Sequence, residues 1–264
     1  MDDVDRKIIF HLLKDGRISQ NKLAKLLNIS SPSINERFRR LIKEGVIRGF
    51  KLFINPNTYG KYFVYVAFPN LRDIEDDRVF VKFRCLENFD VYGIEADNLS
   101  EIDRIIQDFS LNLGSPIMKY APTQKLTLMK KNIAKILSIL SENPRAEIGE
   151  IVLKLNYKAE KIRRILLELN ETIKIVPEVD LMKADSILLG IFSRRLYEIK
   201  HFTVPCSIIT IDNTYGYGVE VCFSGDIKES KKIVELVRRV DPYAQVMVIH
   251  EYSIRGIKIF LASG

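Results

Sequence analysis

The amino-acid sequence predicts an α+β chain made of two tandem copies of one unit, each helical in its first half and strand-rich in its second. Three observations predict it. The 264 residues exceed one comfortable core and fall short of three. Displacing the chain by 128 positions brings Arg17 onto Arg145, Leu23 onto Ile151, Leu27-Asn28 onto Leu155-Asn156, Ile34 onto Ile162, Phe38 onto Leu166 and Leu41 onto Leu169. Within each copy the apolar period changes from helical to alternating partway along.

The elements of copy one follow in order. Val4, Ile8, Ile9 and Leu12 recur at helical spacing, and Asp15-Gly16 ends that helix. Ser19 caps a second helix through Leu23, Leu26 and Leu27, which ends in an Asn28-Ile29-Ser30 turn. Ser30 or Ser31 caps a third helix carrying Ile34, Phe38, Leu41 and Ile42, with Pro32 in its first turn and Gly45 at its end. Val46–Ile54 alternates and predicts a small hairpin. Three short helices and a hairpin make a winged helix-turn-helix. Tyr62–Phe68 and Phe89–Ala96 predict strands, Ile102-Ile105-Ile106-Phe109 a helix, and Pro116–Ala121 a last strand. Copy two has matching pieces: strands at Ile187–Phe192, Val204–Ile211, Tyr217–Phe223 and Gln245–Tyr252, and a helix through Ile233 and Val237. This is the ferredoxin-like βαββαβ order, with its first helix poorly marked in both copies. The expected domains are therefore 1–57 and 125–183 (winged helix-turn-helix, the second degenerate) and 58–124 and 184–264 (ferredoxin-like).

Charge is unevenly placed. Of the net +7, residues 1–55 carry +6, residues 56–124 carry −4, residues 125–183 carry +4 and residues 184–264 carry +1. Cations concentrated on the helical modules suit a polyanion, because neutralising phosphates releases condensed counterions. On the third helix the positions off the apolar face are Ser31, Ser33, Asn35, Glu36, Arg37, Arg39 and Arg40. Small hydroxyls at a helix start admit a phosphate, and Asn and Arg make bidentate pairs with adenine and guanine edges. The expectation is double-stranded DNA, with helix 31–44 in the major groove and Arg48 and Lys51 on phosphates. In copy two, Lys158, Lys161, Arg163 and Arg164 are kept, the Ser-Pro-Ser entry is lost, and Asn170-Glu171-Thr172 replaces the Lys-Glu-Gly exit. This module is a possible second DNA contact or a structural remnant.

The string Asp2-Asp3-Val4-Asp5-Arg6-Lys7-Ile8-Ile9, Asp15-Gly16-Arg17-Ile18-Ser19, Leu23-Ala24-Lys25-Leu26-Leu27-Asn28-Ile29-Ser30 and Arg39-Arg40-Leu41-Ile42-Lys43-Glu44-Gly45-Val46-Ile47-Arg48-Gly49-Phe50 resembles the N-terminal domain of the Lrp/AsnC transcription regulators. The resemblance implies a DNA-binding domain, a linker strand and a βαββαβ effector domain, paired into dimers, with a small-molecule effector such as an amino acid at the dimer contacts. The chain departs from the family in its doubled length and in the turn before the third strand of the effector domain. The corresponding stretches contain Tyr92-Gly93 and Tyr217-Gly218, aligned by a displacement of 125. These four residues are the speculative effector positions; a tight turn with an aromatic lid is the plainer reading. The duplication implies an internal pseudo-dimer, a homodimer, or both.

Other classes are weakly supported. There is no P-loop, G-x-G-x-x-G, G-x-S-x-G or H-x-x-x-H, and no catalytic residue, cofactor or metal site is expected. His11, His201 and His250 are scattered, although sirohaem decarboxylases resemble the same family and would show His and Arg clustered in the sheet domain. An architectural DNA-binding protein with little sequence preference is the alternative reading. Cys85, Cys206 and Cys222 read as buried thiols, no apolar run suits a bilayer, and the acidic start is unlike a leader; the expected location is cytoplasmic, off the membrane.

Overall fold

The structure is a computed structural model that describes residues 1–169 and 172–256; Asn170 and Glu171 of the copy-two exit lie outside the described residues. The chain begins with helices α1 (Asp3–Lys14), α2 (Gln20–Leu27) and α3 (Ser31–Lys43). Each is capped by its own sequence. Asp2, Ser19 and Ser30 accept hydrogen bonds from the backbone N–H of Asp5 (2.9 Å), Lys22 (3.2 Å) and Ser33 (3.3 Å). Asn28 takes the left-handed conformation, with φ 54°, that lets the chain turn between α2 and α3. Ile8, Ile9, Leu12, Leu23, Ile34 and Leu41 are fully buried between the helices; each contributes roughly 1.5–3 kcal/mol of burial.

Copy one continues with strands β1 (Ile47–Ile54), β2 (Tyr62–Pro69), β3 (Val79–Cys85) and β4 (Phe89–Ala96), helix α4 (Leu99–Leu113) and strand β5 (Met118–Tyr120). Copy two has helices α5 (Lys131–Glu142), α6 (Ile148–Leu155) and α7 (Ala159–Glu168), and strands β6 (Ile173–Val179) and β7 (Ile187–Ser193). Helix α8 (Leu196–Thr203), strands β8 (Ser207–Asp212) and β9 (Gly218–Ser224), helix α9 (Ile227–Val240) and strand β10 (Gln245–Ile254) follow. The repeat is visible in detail: Asn156 turns between α6 and α7 with φ 52°, 128 residues after Asn28.

Three expectations are corrected. The stretch after α3 is no hairpin. Gly49, the one turn-forming residue in it, sits at a β-bulge, and β1 runs straight on to pair antiparallel with β6 of the other copy, from Gly49 opposite Glu178 to Ile54 opposite Ile173. The wing is a two-stranded ribbon shared between copies. Leu52 and Ile54 of β1 accordingly bury in the core of α5–α7, whereas Val179 and Leu181 join the core of α1–α3. Second, residues 70–78 of copy one hold no helix, so that sheet domain is βββαβ, whereas copy two keeps α8 and the full βαββαβ order. Third, Val79–Cys85 is a strand that the sequence pattern did not reveal, and the Val204–Ile211 strand begins only at Ser207.

The two sheet domains join edge to edge. The strand order is β5-β2-β4-β3-β10-β7-β9-β8, so one eight-stranded antiparallel sheet runs through both copies, and each half keeps the ferredoxin-like order. The seam pairs β3 with β10, from Val81 opposite Ile254 to Cys85 opposite Ile249. One face of the sheet is covered by α4 over Val66, Phe68 and Ile94, and by α8 and α9 over Leu189, Ile191 and Cys222. The other face, including Val91, Val221, Phe223 and Met247, shares a core with α1–α3. The internal pairing is thus a property of a single chain, at both the wing and the sheet. Cys85, Cys206 and Cys222 are free and buried. No helix among the described residues is long and apolar enough to cross a membrane.

Candidate nucleic-acid interface

Helix α3 buries Ile34, Phe38 and Leu41 and turns its remaining positions outward. Ser31, Ser33 and Asn35 are half-buried at its entry, and Arg39 and Arg40 are exposed. The first turn contains no acidic residue, so no side-chain charge of that turn opposes the positive end of the helix dipole, and Ser30 accepts from the Ser33 N–H. Among the described residues, Arg39 and Lys43 pair with no carboxylate.

The other cations of this face are held. Arg37 Nη1 donates to Asp2 Oδ2 at 2.6 Å and Asp5 Oδ1 at 2.9 Å, and Arg40 Nη2 donates to Asp5 Oδ2 at 2.5 Å. Asp5 is 1% exposed, so this is a buried carboxylate neutralised by two guanidinium groups at the α1–α3 contact. The hydrogen bond from Asp5 N, with that from Arg37, holds the Asp2 carboxyl below its ordinary range, and Asp2 with Asp5 raises Arg37 in turn. Arg37 therefore orients α3, and Arg40 does so in part. The sequence reading missed Asp2 and Asp5 in this role. An acidic pair opening α1 was legible as a cap and dipole match, but nothing in the sequence linked it to a helix thirty residues away.

The wing is also paired internally. Arg48 bonds to Asp180, and Lys51 Nζ lies 2.8 Å from Glu178, so each predicted phosphate contact has a carboxylate of copy two beside it across the ribbon. Burial pushes the Asp180 carboxyl upward, but the Lys183 N–H and the Arg48 guanidinium outweigh it and leave it low.

The copy-two helix differs. None of α5, α6 and α7 has a side-chain cap: Lys130, Glu147 and Lys158 stand in that position. Lys161 lies 3.9 Å over the Tyr157 ring, Arg163 is 3.8 Å from Glu160, and Arg164 is 3.8 Å from Glu168. Lys158 is exposed. Three of the four cations thus have local partners, and the acidic residues dilute the field of the helix.

The speculative effector residues are not brought together; Tyr92 and Gly93 lie in no turn, whereas Tyr217 closes one, its carbonyl accepting from the Asn213 N–H at 3.2 Å. Tyr92 and Gly93 lie in the middle of β4, with Tyr92 fully buried in the core beneath α4. A Cβ on Gly93 would meet Val81 Cγ1 at 2.5 Å and Phe80 at 2.7 Å, so this glycine makes room for strand neighbours. Gly218 opens β9, where a Cβ would meet Ile211 O at 2.2 Å. The helices that follow begin at Leu99 and Ile227, again 128 apart, so the displacement of 125 had slipped the two strands against each other. The turn reading fits the neighbouring Tyr215-Gly216, where Gly216 has φ 79°. Among the described residues no group of three or more His, Cys, Asp and Glu is placed to hold a metal.

Comparison with known proteins agrees with this architecture. Residues 1–48 match the winged helix-turn-helix DNA-binding family. An uncharacterized HTH-type transcriptional regulator of Pyrococcus furiosus is 31% identical over 140 residues, spanning 50% of this chain and 95% of the relative. The leucine-responsive regulatory protein of Salmonella typhimurium is 42% identical over 127 residues, spanning 48% of this chain and 73% of the relative. Among solved structures, the siroheme decarboxylase NirDL is similar at 14% identity and a TM-score of 0.46, over 98% of this chain and 95% of that one. The half-chain matches agree with the doubled unit seen in the structure, and their coverage of 95% and 73% of the two relatives places the chain in the Lrp/AsnC family of helix-turn-helix transcriptional regulators.

Proposed function

We propose that the chain is a sequence-specific regulator that binds double-stranded DNA through α3 in the major groove. Asn35 and Arg39 read base edges, Ser31 and Ser33 bring the helix entry to a phosphate, and Arg48 and Lys51 contact the backbone beside the groove. Arg37 and Arg40 act mainly through Asp5, by fixing the angle of α3. The observation that carries this reading is the outer face of α3: an uncharged, capped entry followed by Arg39 with no carboxylate partner among the described residues. In copy two, Lys158, Lys161, Arg163 and Arg164 touch backbone weakly or not at all, because Arg163 and Arg164 stand beside carboxylates of their own helix, Lys161 lies over a ring, and only Lys158 has no local partner among the described residues. The same reading divides the chain functionally at 57/58, 124/125 and 183/184.

The test is a gel-shift series at fixed salt comparing the chain's own upstream region with random duplex. A specific-to-random affinity ratio of about 10³ or more is expected. Asn35→Ala should lower that ratio while leaving random-duplex affinity nearly unchanged. A ratio near one, insensitive to Asn35→Ala, replaces this reading with an architectural DNA-binding protein.

A further inference from the structure

The eight-stranded sheet curls without closing. Its two end strands, β5 and β8, are linked by Tyr120, whose hydroxyl donates to Ile211 O at 3.1 Å, and the segments just past them by the Thr214 N–H, which donates to Thr123 Oγ1 at 3.0 Å; no ladder joins them. Beside this gap lies a cavity of about 760 Å³, bounded by β8, the β1–β6 ribbon and the turn between α1 and α2. A smaller apolar chamber of about 90 Å³ adjoins it, walled by residues such as Phe83, Val221 and Tyr252. Lys174, Tyr65 and Ile209 line both, so Lys174 stands between a polar cavity and an apolar chamber.

Lys174 is the unusual group. It sits on β6 opposite Phe53 of β1. Among the described residues no carboxylate lies within ion-pair distance of its ammonium. Burial pulls its pKa below the ordinary lysine range with nothing opposing it. The acidic lining residues, Asp15 and Asp212, are both exposed, and Asp15 already accepts the Arg17 N–H at 3.0 Å. Lys174 is half-buried, and a partly desolvated cation without a counter-charge costs free energy that an incoming anion recovers. The apolar chamber next to it gains from displacing water by an apolar body.

We propose that this cavity binds a small monocarboxylate with a short apolar tail and no amino group, a short-chain fatty acid in its chemistry, because a chamber of about 90 Å³ takes roughly three carbons. The carboxylate sits on Lys174 and the tail lies between Phe83 and Ile209. An α-ammonium group is selected against, because it would stand beside Lys174 with no buried carboxylate to receive it. The inference goes beyond the DNA-binding reading and does not rest on it.

Calorimetric titration of the full chain with sodium butyrate, without DNA, tests it. Saturable one-to-one binding is expected, and Lys174→Met should weaken it by about tenfold or more, the loss of a charge-assisted bond. Ile209→Trp, which fills the tail chamber and keeps Lys174, should weaken it comparably, and 1-butanol should bind wild type no better than butyrate binds Lys174→Met. Lys174→Met removes an uncompensated charge, so its unfolding midpoint should not fall; if it does, the Ile209→Trp and butanol titrations still decide. Absence of saturable butyrate binding overturns the proposal, as does equal binding by Lys174→Met. Binding of a tetracarboxylate porphyrin in place of butyrate also overturns it, by assigning the cavity to a large polyacid.

Discussion

Arg17 and Arg145 make the same contact in opposite directions. Arg17 Nη2 donates to Ala146 O at 2.7 Å and Arg145 Nη2 donates to Ile18 O at 3.1 Å. Residues 17 and 145 are 128 apart, and so are residues 18 and 146. This is the isologous exchange of a two-fold dimer, built into one chain. The two sides have also diverged: Arg145 stacks over Phe50 at 4.7 Å and Phe38 at 5.4 Å, and Arg17 has a second acceptor, Pro144 O, at 3.2 Å.

The latch should couple the two helical modules. Arg17→Met and Arg145→Met are each expected to lower stability by about 1–3 kcal/mol in urea unfolding. Their double variant should lose less than the sum, because the two contacts fasten the same junction. Strict additivity would mean that the arginines serve separate sites.

Asp5 should hold α3 in place. Asp5→Ala leaves Arg37 and Arg40 without their shared acceptor, and a loss of about 1–3 kcal/mol is expected because the guanidinium groups reach solvent. Specific DNA affinity should fall with it, measured well below the unfolding temperature. An unchanged unfolding midpoint would remove Asp5 from this role.

The wing pairs make a prediction opposite in sign. Asp180→Asn frees Arg48 and should tighten binding to random duplex at low salt. Arg48→Ala should weaken all duplexes evenly and reduce the salt slope by about 1. If neither substitution moves the gel shift, the β1–β6 ribbon lies away from DNA.

Glu220 carries a pH prediction. It is fully buried in β9; Thr210 Oγ1 donates to its Oε2 at 2.8 Å, and among the described residues Oε1 has no partner. Burial raises its pKa above the ordinary 4.5, so the folded state binds this proton more tightly than the unfolded chain does. Its contribution to stability is therefore fully present below pH 4.5 and declines as pH rises through the raised value. Glu220→Gln should stabilise the protein at pH 7 by about 1–2 kcal/mol and much less at pH 4. Thermal melts at the two pH values check this; an equal effect at both would place the titration elsewhere.

The helical modules were legible because local signals agree with tertiary demand. Ser19 and Ser30 cap as their positions suggest, and Ile8, Leu12, Ile34 and Leu41 reach the core that their spacing implies. The sheet domains were less legible. Val79–Cys85 carries Lys82 and Arg84, and their ion pairs with Asp73, itself held low at about 2 against its burial, mask a strand whose charges find partners only in the fold. The Tyr-Gly alignment misled because a short identity in a strand is weaker than the fixed spacing of the helices that follow.

The sequence by itself determined the caps, the apolar faces and the concentration of positive charge, since each depends on neighbours a few residues away, and the repeat, since it is a pattern of the sequence itself. Only the tertiary structure decided that β1 pairs with β6, that β3 pairs with β10, and which cations face Asp5, Asp180 or, among the described residues, no carboxylate. Those outcomes join residues more than a hundred positions apart or on separate helices. They are set by which edges and charges the packed modules bring together, and no local preference encodes that.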